Sequence, residues 1–152
     1  KIIPFSGMIV SMDCSDETCI HPGKKKPIGD RFAYLTLQKT YGMSGFDAVS
    51  PLYESHEIKG NVVYVKFTKT MWGGVGHKGK SLVGFELAGE DRKFYPAEAY
   101  NNRKDSHVIE VKSDMVPNPV AVRYAFRNYA PVSIYNTFGI PASPFRTDDW
   151  DE

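Results

Sequence analysis

Cysteine is scarce in this chain, with Cys14 and Cys19 the only two among 152 residues. A disulfide-built scaffold is thereby excluded. Their spacing in a polar stretch allows one local bridge in an exported protein, and equally two free thiols. Histidine is also sparse: His56, His77 and His107 are scattered, and no second Cys/His pair sits at ligand spacing, so no metal site is expected. No apolar run approaches the roughly 20 residues of a membrane-spanning helix. Net charge is nearly absent too, at +1 from 19 basic and 18 acidic residues. Such a balance gives no overall attraction to phosphate backbones or anionic lipid, so neither nucleic acid nor a membrane surface is an expected partner. Lys24-Lys25-Lys26 is a local exception and reads as a solvated turn before a helix. Nothing in the pattern requires a cofactor.

What is present is the composition of a folded protein: 41% hydrophobic, 24% charged and 13% aromatic residues. The length suits one ordinary domain, or a small domain with the edge of another. The chain opens on Lys1 with too short an apolar run for a span and no signal-peptide cleavage pattern, so its start reads as cut. Gly7 to Met12 reads as a buried strand, followed by a polar loop from Asp13 to Thr18. A helix is expected next, with Pro27 in its first turn, Ile28, Phe32, Leu35 and Lys39 along one stripe, and Gly42 ending it in a left-handed cap.

Beyond Gly42 the period changes to two. Val63, Val65 and Phe67 alternate with Val62, Tyr64 and Lys66; Ile109 and Val111 alternate with Val108, Glu110 and Lys112; Val120, Val122, Tyr124 and Phe126 alternate with Ala121, Arg123 and Ala125. Turn signals at Gly60-Asn61, Gly73-Gly74, Gly89-Glu90-Asp91, Asn101-Asn102 and Pro117-Asn118-Pro119 separate these strands, as in an all-β sandwich. A boundary is placed near Gly42 to Gly45. The stretch from Pro131 lacks periodicity and reads as an ordered tail over a surface.

His21 is the leading candidate for chemistry. It lies between a loop that follows the expected strand and the expected helix, the edge where α/β folds place reactive groups. Two other features compete for attention. Gly74 to Ser81 satisfies the phosphate-loop pattern, but the following residues, Val83, Phe85 and Leu87, alternate as a strand where that chemistry needs a helix, so a glycine-rich hairpin is the better account. Trp72 and Trp150 have faces suited to stacking on a sugar, or to filling gaps between layers.

Longer blocks narrow the choice. Ile20-His21-Pro22 with Lys25, Pro27, Gly29, Arg31 and Lys39-Thr40-Tyr41-Gly42, then AGEDRKFYPAEA from Ala88 to Ala99, NPVAVRYAF from Asn118 to Phe126, and GIPASPFRTDDW from Gly139 to Trp150, cover nearly the whole chain. In these blocks the sequence resembles the carboxyl-terminal part of sialate O-acetylesterases, carbohydrate esterases of the SGNH hydrolase group. The resemblance implies removal of O-acetyl groups from sialic acid or related sugars by a serine nucleophile, with His21 as general base and then general acid. SGNH hydrolases commonly carry an aspartate three residues before that histidine, where this chain has Thr18; Asp16 and Asp13 are the nearby acids that could orient it. The Gly-x-Ser and oxyanion blocks of the family are not found, and Gly42-Met43-Ser44-Gly45 follows a helix rather than a strand.

The resulting expectation is a mainly β chain. Residues 1–42 would be the C-terminal edge of an SGNH α/β domain, comprising its last strand, histidine loop and helix; residues 43–152 would be a β-sandwich with an ordered tail. The apolar faces of the first strand and helix would be left bare, to be met by the remainder of the SGNH domain or by another copy. Trp150 would dock on that missing domain. The resemblance further implies a periplasmic or extracellular setting. The rival expectation is a non-catalytic accessory or glycan-binding β-sandwich module.

Overall fold

In the computed structural model, residues 3–4, 6–69, 71–73 and 81–150 are described. The phosphate-loop look-alike, apart from Ser81, and the side chain of Trp72 lie outside the described residues. The chain runs through a 3-10 turn at Met12–Cys14 and a helix α1 at Lys25–Lys39. Strands follow at Tyr53–Lys59 (β1), Val62–Phe67 (β2), Met71–Gly73 (β3), Phe85–Ala88 (β4), Phe94–Pro96 (β5), Glu98–Asn101 (β6), Val108–Lys112 (β7), Ala121–Tyr124 (β8), Ile134–Asn136 (β9) and Phe145–Arg146 (β10).

These strands form two antiparallel four-stranded sheets, ordered β1-β2-β7-β6 and β10-β8-β4-β5, with a small β3-β9 ribbon beside them. The sandwich is as expected from the sequence, and so are its period-two strands, except that β8 spans only Ala121–Tyr124 and leaves Val120 and Phe126, expected in line with Val122 and Tyr124, exposed. The register shows why they bury together. Val63 faces Val111 and Val65 faces Ile109 across β2 and β7, while Phe85 faces Tyr124 and Leu87 faces Val122 across β4 and β8. All eight are buried and belong to one apolar core between the sheets. At about 1.5–3 kcal/mol for each buried large apolar side chain, this layer supplies the main drive for folding. Burial pushes the Tyr124 phenol up to about 12.

Two glycines are fixed by geometry. Gly60 occupies the tight β1–β2 turn at φ +60°. Gly84 takes φ +95° just ahead of β4, where a Cβ would stand 3.0 Å from the Pro131 carbonyl oxygen and 3.3 Å from the Tyr124 ring.

The helix runs two residues earlier than Pro27 and stops three before Gly42, which takes φ +66° as expected of a left-handed cap. Its buried face is narrower than the predicted stripe. Arg31 and Leu35 are buried, whereas Phe32 is exposed. Gly7 and Leu35 are in close register, since a Cβ on Gly7 would fall 2.7 Å from a Leu35 methyl.

One expectation needs correction. Gly7 to Met12 is not a strand: its residues run without sheet pairing until the 3-10 turn, since no strand among the described residues lies alongside to satisfy its backbone. Trp150, expected to meet another domain, has partners within this chain. Its ring lies 5.7 Å from Phe94 and beneath the Arg92 guanidinium at 5.4 Å, against the second sheet of this same chain. The tail is ordered, and β9 and β10 are cut from it.

Candidate active-site loop

The loop bearing His21 hangs between the 3-10 turn and α1, and one buried arginine fastens its base. Arg31 is carried on the inward face of α1, four residues before Leu35. Its Nη1 donates to the Val10 carbonyl at 2.8 Å and to Asp13 Oδ1 at 2.7 Å, and Nη2 donates to Asp13 Oδ2 at 2.6 Å. Two parallel charge-assisted bonds of this kind fix direction as well as distance. Cys14 sits beside the pair, with its Sγ 3.7 Å from Arg31 Nη1. Burial raises the Cys14 thiol above its ordinary range, and the neighbouring Asp13 carboxylate adds to the rise. Both cysteines are free, Cys14 buried and Cys19 exposed.

Beyond that base the loop is held only by itself. Asp16 Oδ1 accepts from the Thr18 amide at 2.9 Å and the Thr18 hydroxyl at 2.7 Å. These bonds, the backbone one foremost, hold the Asp16 carboxyl below its usual range. Residues 15–21 are exposed, His21 among them.

The three residues singled out from sequence therefore share one loop but not one hydrogen-bond network. Asp13 is committed to Arg31 and Asp16 to Thr18. The His21 ring has no hydrogen-bond partner among the described residues. Nothing on the described part of the chain fixes the tautomer of this exposed imidazole. No cluster of three or more potential metal ligands occurs among the described residues. No described helix is long and apolar enough to cross a membrane.

The role of Arg31 was not visible in the sequence. The available signal was a charged residue four positions before Leu35.

A second constellation, also unforeseen, covers the face of the second sheet turned away from the core. Glu86 and Arg123 face each other across β4 and β8 on this side and are nevertheless buried. Arg123 Nε and Nη2 reach Asp148 Oδ2 and Oδ1 at 2.9 and 2.7 Å, and its guanidinium lies 3.9 Å over the Phe94 ring. Glu86 is engaged by Arg127 through Nε at 3.0 Å and through Nη2. Met12, from the turn that leads into the histidine loop, packs against the sandwich core and lines the cleft beside this network.

No family model matches the chain. No curated protein matches it either. Among solved structures, the chain is similar to a novel carbohydrate acetylesterase from Xanthomonas citri, at 31% identity and a TM-score of 0.76. The match covers 91% of this chain and spans 31% of the length of that one.

Proposed function

We propose that this chain is the C-terminal portion of a carbohydrate acetylesterase, hydrolysing O-acetyl esters on sialic acid or related sugars, with His21 as its general base and acid and the serine nucleophile supplied from outside these residues. The observation that carries this reading is the likeness to the Xanthomonas citri acetylesterase along 91% of the chain. The sialate preference rests on the sequence resemblance alone.

Two structural features support the assignment of a contributing part. First, His21 is exposed, so that a ring nitrogen can meet a serine from another segment. Second, exposed apolar side chains are dense in the same stretch, with Ile20 92%, Met8 78% and Tyr41 72% accessible, and Phe32, Tyr34 and Met43 exposed as well. Apolar surface of this kind is suited to burial against the remainder of an SGNH domain. Residues 1–42 would then belong to that domain and 43–152 to the appended sandwich, in a protein acting on periplasmic or extracellular glycans.

The test is hydrolysis of 4-nitrophenyl acetate and of O-acetylated sialic acid by this chain alone and by the chain joined to a serine-bearing SGNH segment. The chain alone should be silent. In the joined protein, His21→Ala should lower kcat by roughly 10²–10⁴-fold, the usual worth of a positioned acid-base group. Activity in the joined protein that survives His21→Ala, or turnover by the isolated chain, would overturn the proposal.

A further inference from the structure

A cleft of about 720 Å3 opens on the outer side of the second sheet, between the sandwich and the turn at Met12. Its rim is delivered by an unusual backbone step. Ala125, buried directly after β8, takes φ +49°, and its amide donates to the Gly84 carbonyl at 2.8 Å. A left-handed conformation costs an ordinary residue on the order of 1 kcal/mol, and it persists where the surroundings over-determine it. Here the step ends the strand and swings Phe126, Arg127 and Asn128 out to exposed positions along the cleft.

Arg127 is held there in a fixed plane. Buried Glu86 accepts from its Nε and Nη2, while the arginine side chain remains 61% exposed. One edge of the guanidinium is thus spent on Glu86. Nη1 has no partner among the described residues, which leaves the Nη1–Nη2 edge for a ligand. The floor, by contrast, is already satisfied: Arg123 is paired with Asp148 and stacked on Phe94. Phe126 lies beside it, with the guanidinium groups of Arg123 and Arg146 at 5.5 and 5.3 Å from its ring centre. Three arginines against Glu86 and Asp148 leave one surplus positive charge around the cleft.

An oriented guanidinium edge matches a carboxylate, and an exposed ring beside it offers an apolar face. We propose that this cleft binds a carboxylated sugar, its carboxylate on the free edge of Arg127 and the apolar side of its ring on Phe126. The choice of a sugar rests on the acetylesterase reading. The carboxylate rests on Arg127 and its fixed geometry.

The experiment is titration of this chain, followed by amide chemical shifts and calorimetry, with N-acetylneuraminic acid and methyl glucuronide as probes and methyl galactoside and acetate as controls. Binding should be weak, with Kd about 1 mM, and should perturb the amides of Phe126, Arg127 and Asn128. Arg127→Gln should weaken the acidic sugars at least about tenfold by removing the charged fork. Because that change also strips Glu86 of its partner, Phe126→Leu is the second variant: it leaves the Glu86–Arg127 pair in place and should weaken both acidic sugars while changing acetate little. No perturbation at about 20 mM probe, equal binding of the neutral sugar, equal binding of acetate alone, or affinity indifferent to both variants would overturn the inference. None of these readouts requires hydrolysis, so failure of the cleft and failure of the esterase reading are separately visible.

Discussion

Asp148→Asn should remove about 2–4 kcal/mol of stability at pH 7, far more than a surface ion pair is worth. Both side chains of the Asp148–Arg123 pair are buried, at 0% and 8% exposure, and share two bonds of 2.7 and 2.9 Å. Removing one partner from such a pair typically costs about 3–5 kcal/mol, because a charge is stranded away from water. Two features reduce that figure. Asparagine keeps one acceptor for the guanidinium, and Arg123 still lies over Phe94 at 3.9 Å, a cation–π contact worth roughly 1 kcal/mol. The loss extends beyond the pair. Thr147, just before it in the chain, exchanges bonds with Val122 of β8, its amide donating at 3.1 Å and its Oγ1 accepting at 2.9 Å, so loosening Asp148 loosens a neighbouring tie of the tail to the sheet.

The effect carries a pH signature. Hydrogen bonding from Arg123, aided by its charge, holds the Asp148 carboxyl below its usual range in the folded chain. A depressed folded pKa means stability that is fully present above the unfolded value of about 4 and drains away as pH falls through the folded value. Urea denaturation at pH 7 should show the variant midpoint lowered by about 1–2 M, taking a slope near 2 kcal/mol/M. The gap between parent and variant should then narrow towards pH 3. Replacing both partners by apolar residues, Arg123→Met with Asp148→Leu, should recover much of the loss. A cost under about 0.5 kcal/mol, or a gap equal at both pH values, would refute the reasoning.

Two other expectations follow from local geometry. Gly84→Ala should cost about 1–3 kcal/mol in the same urea assay, since its φ of +95° disfavours any side chain and the new Cβ would stand 3.0 Å from the Pro131 oxygen; an unchanged midpoint would show that the backbone relaxes freely there. With a disulfide reagent at pH 8, exposed Cys19 should label at least roughly 100-fold faster than buried Cys14, whose thiolate is further suppressed by its raised pKa. Equal rates in native buffer would count against burial of Cys14.

Legibility in the sequence followed the range of the interaction. β2 and β7 were visible because Val63, Val65 and Phe67, and Ile109 and Val111, announce a half-buried strand within five or six residues. β9 and β10 were not, since three and two residues are too short to show a period. The apolar run from Gly7 to Met12 has a strand's composition, but a strand also needs a neighbour, and composition does not supply one. Trp150 gives no local sign of its partners Arg92 and Phe94, which lie far earlier in the same chain. The same limit hid two of the charge pairs. Asp13 and Arg31 are separated by 18 positions and Glu86 and Arg127 by 41, so neither could be read from a local pattern.

The contrast between those two pairs and His21 bears on where chemistry can occur. At the base of the histidine loop, Arg31 ties Asp13 bidentately and reaches back to Val10, so the stem of the loop has a defined position relative to α1. Past Ser15 the Asp16–Thr18 turn adds local order, and His21 stands exposed after it. A general base must be fixed in tautomer and direction to within hydrogen-bond reach of its nucleophile, and preorganisation of that kind supplies much of the rate. The stem gives His21 its place and leaves its direction open. If His21 serves as the proposed base, an acceptor for one ring nitrogen and a hydroxyl for the other would arrive on the surface that covers Ile20, Met8 and Tyr41, so that docking and completion of a catalytic site would be one event rather than two.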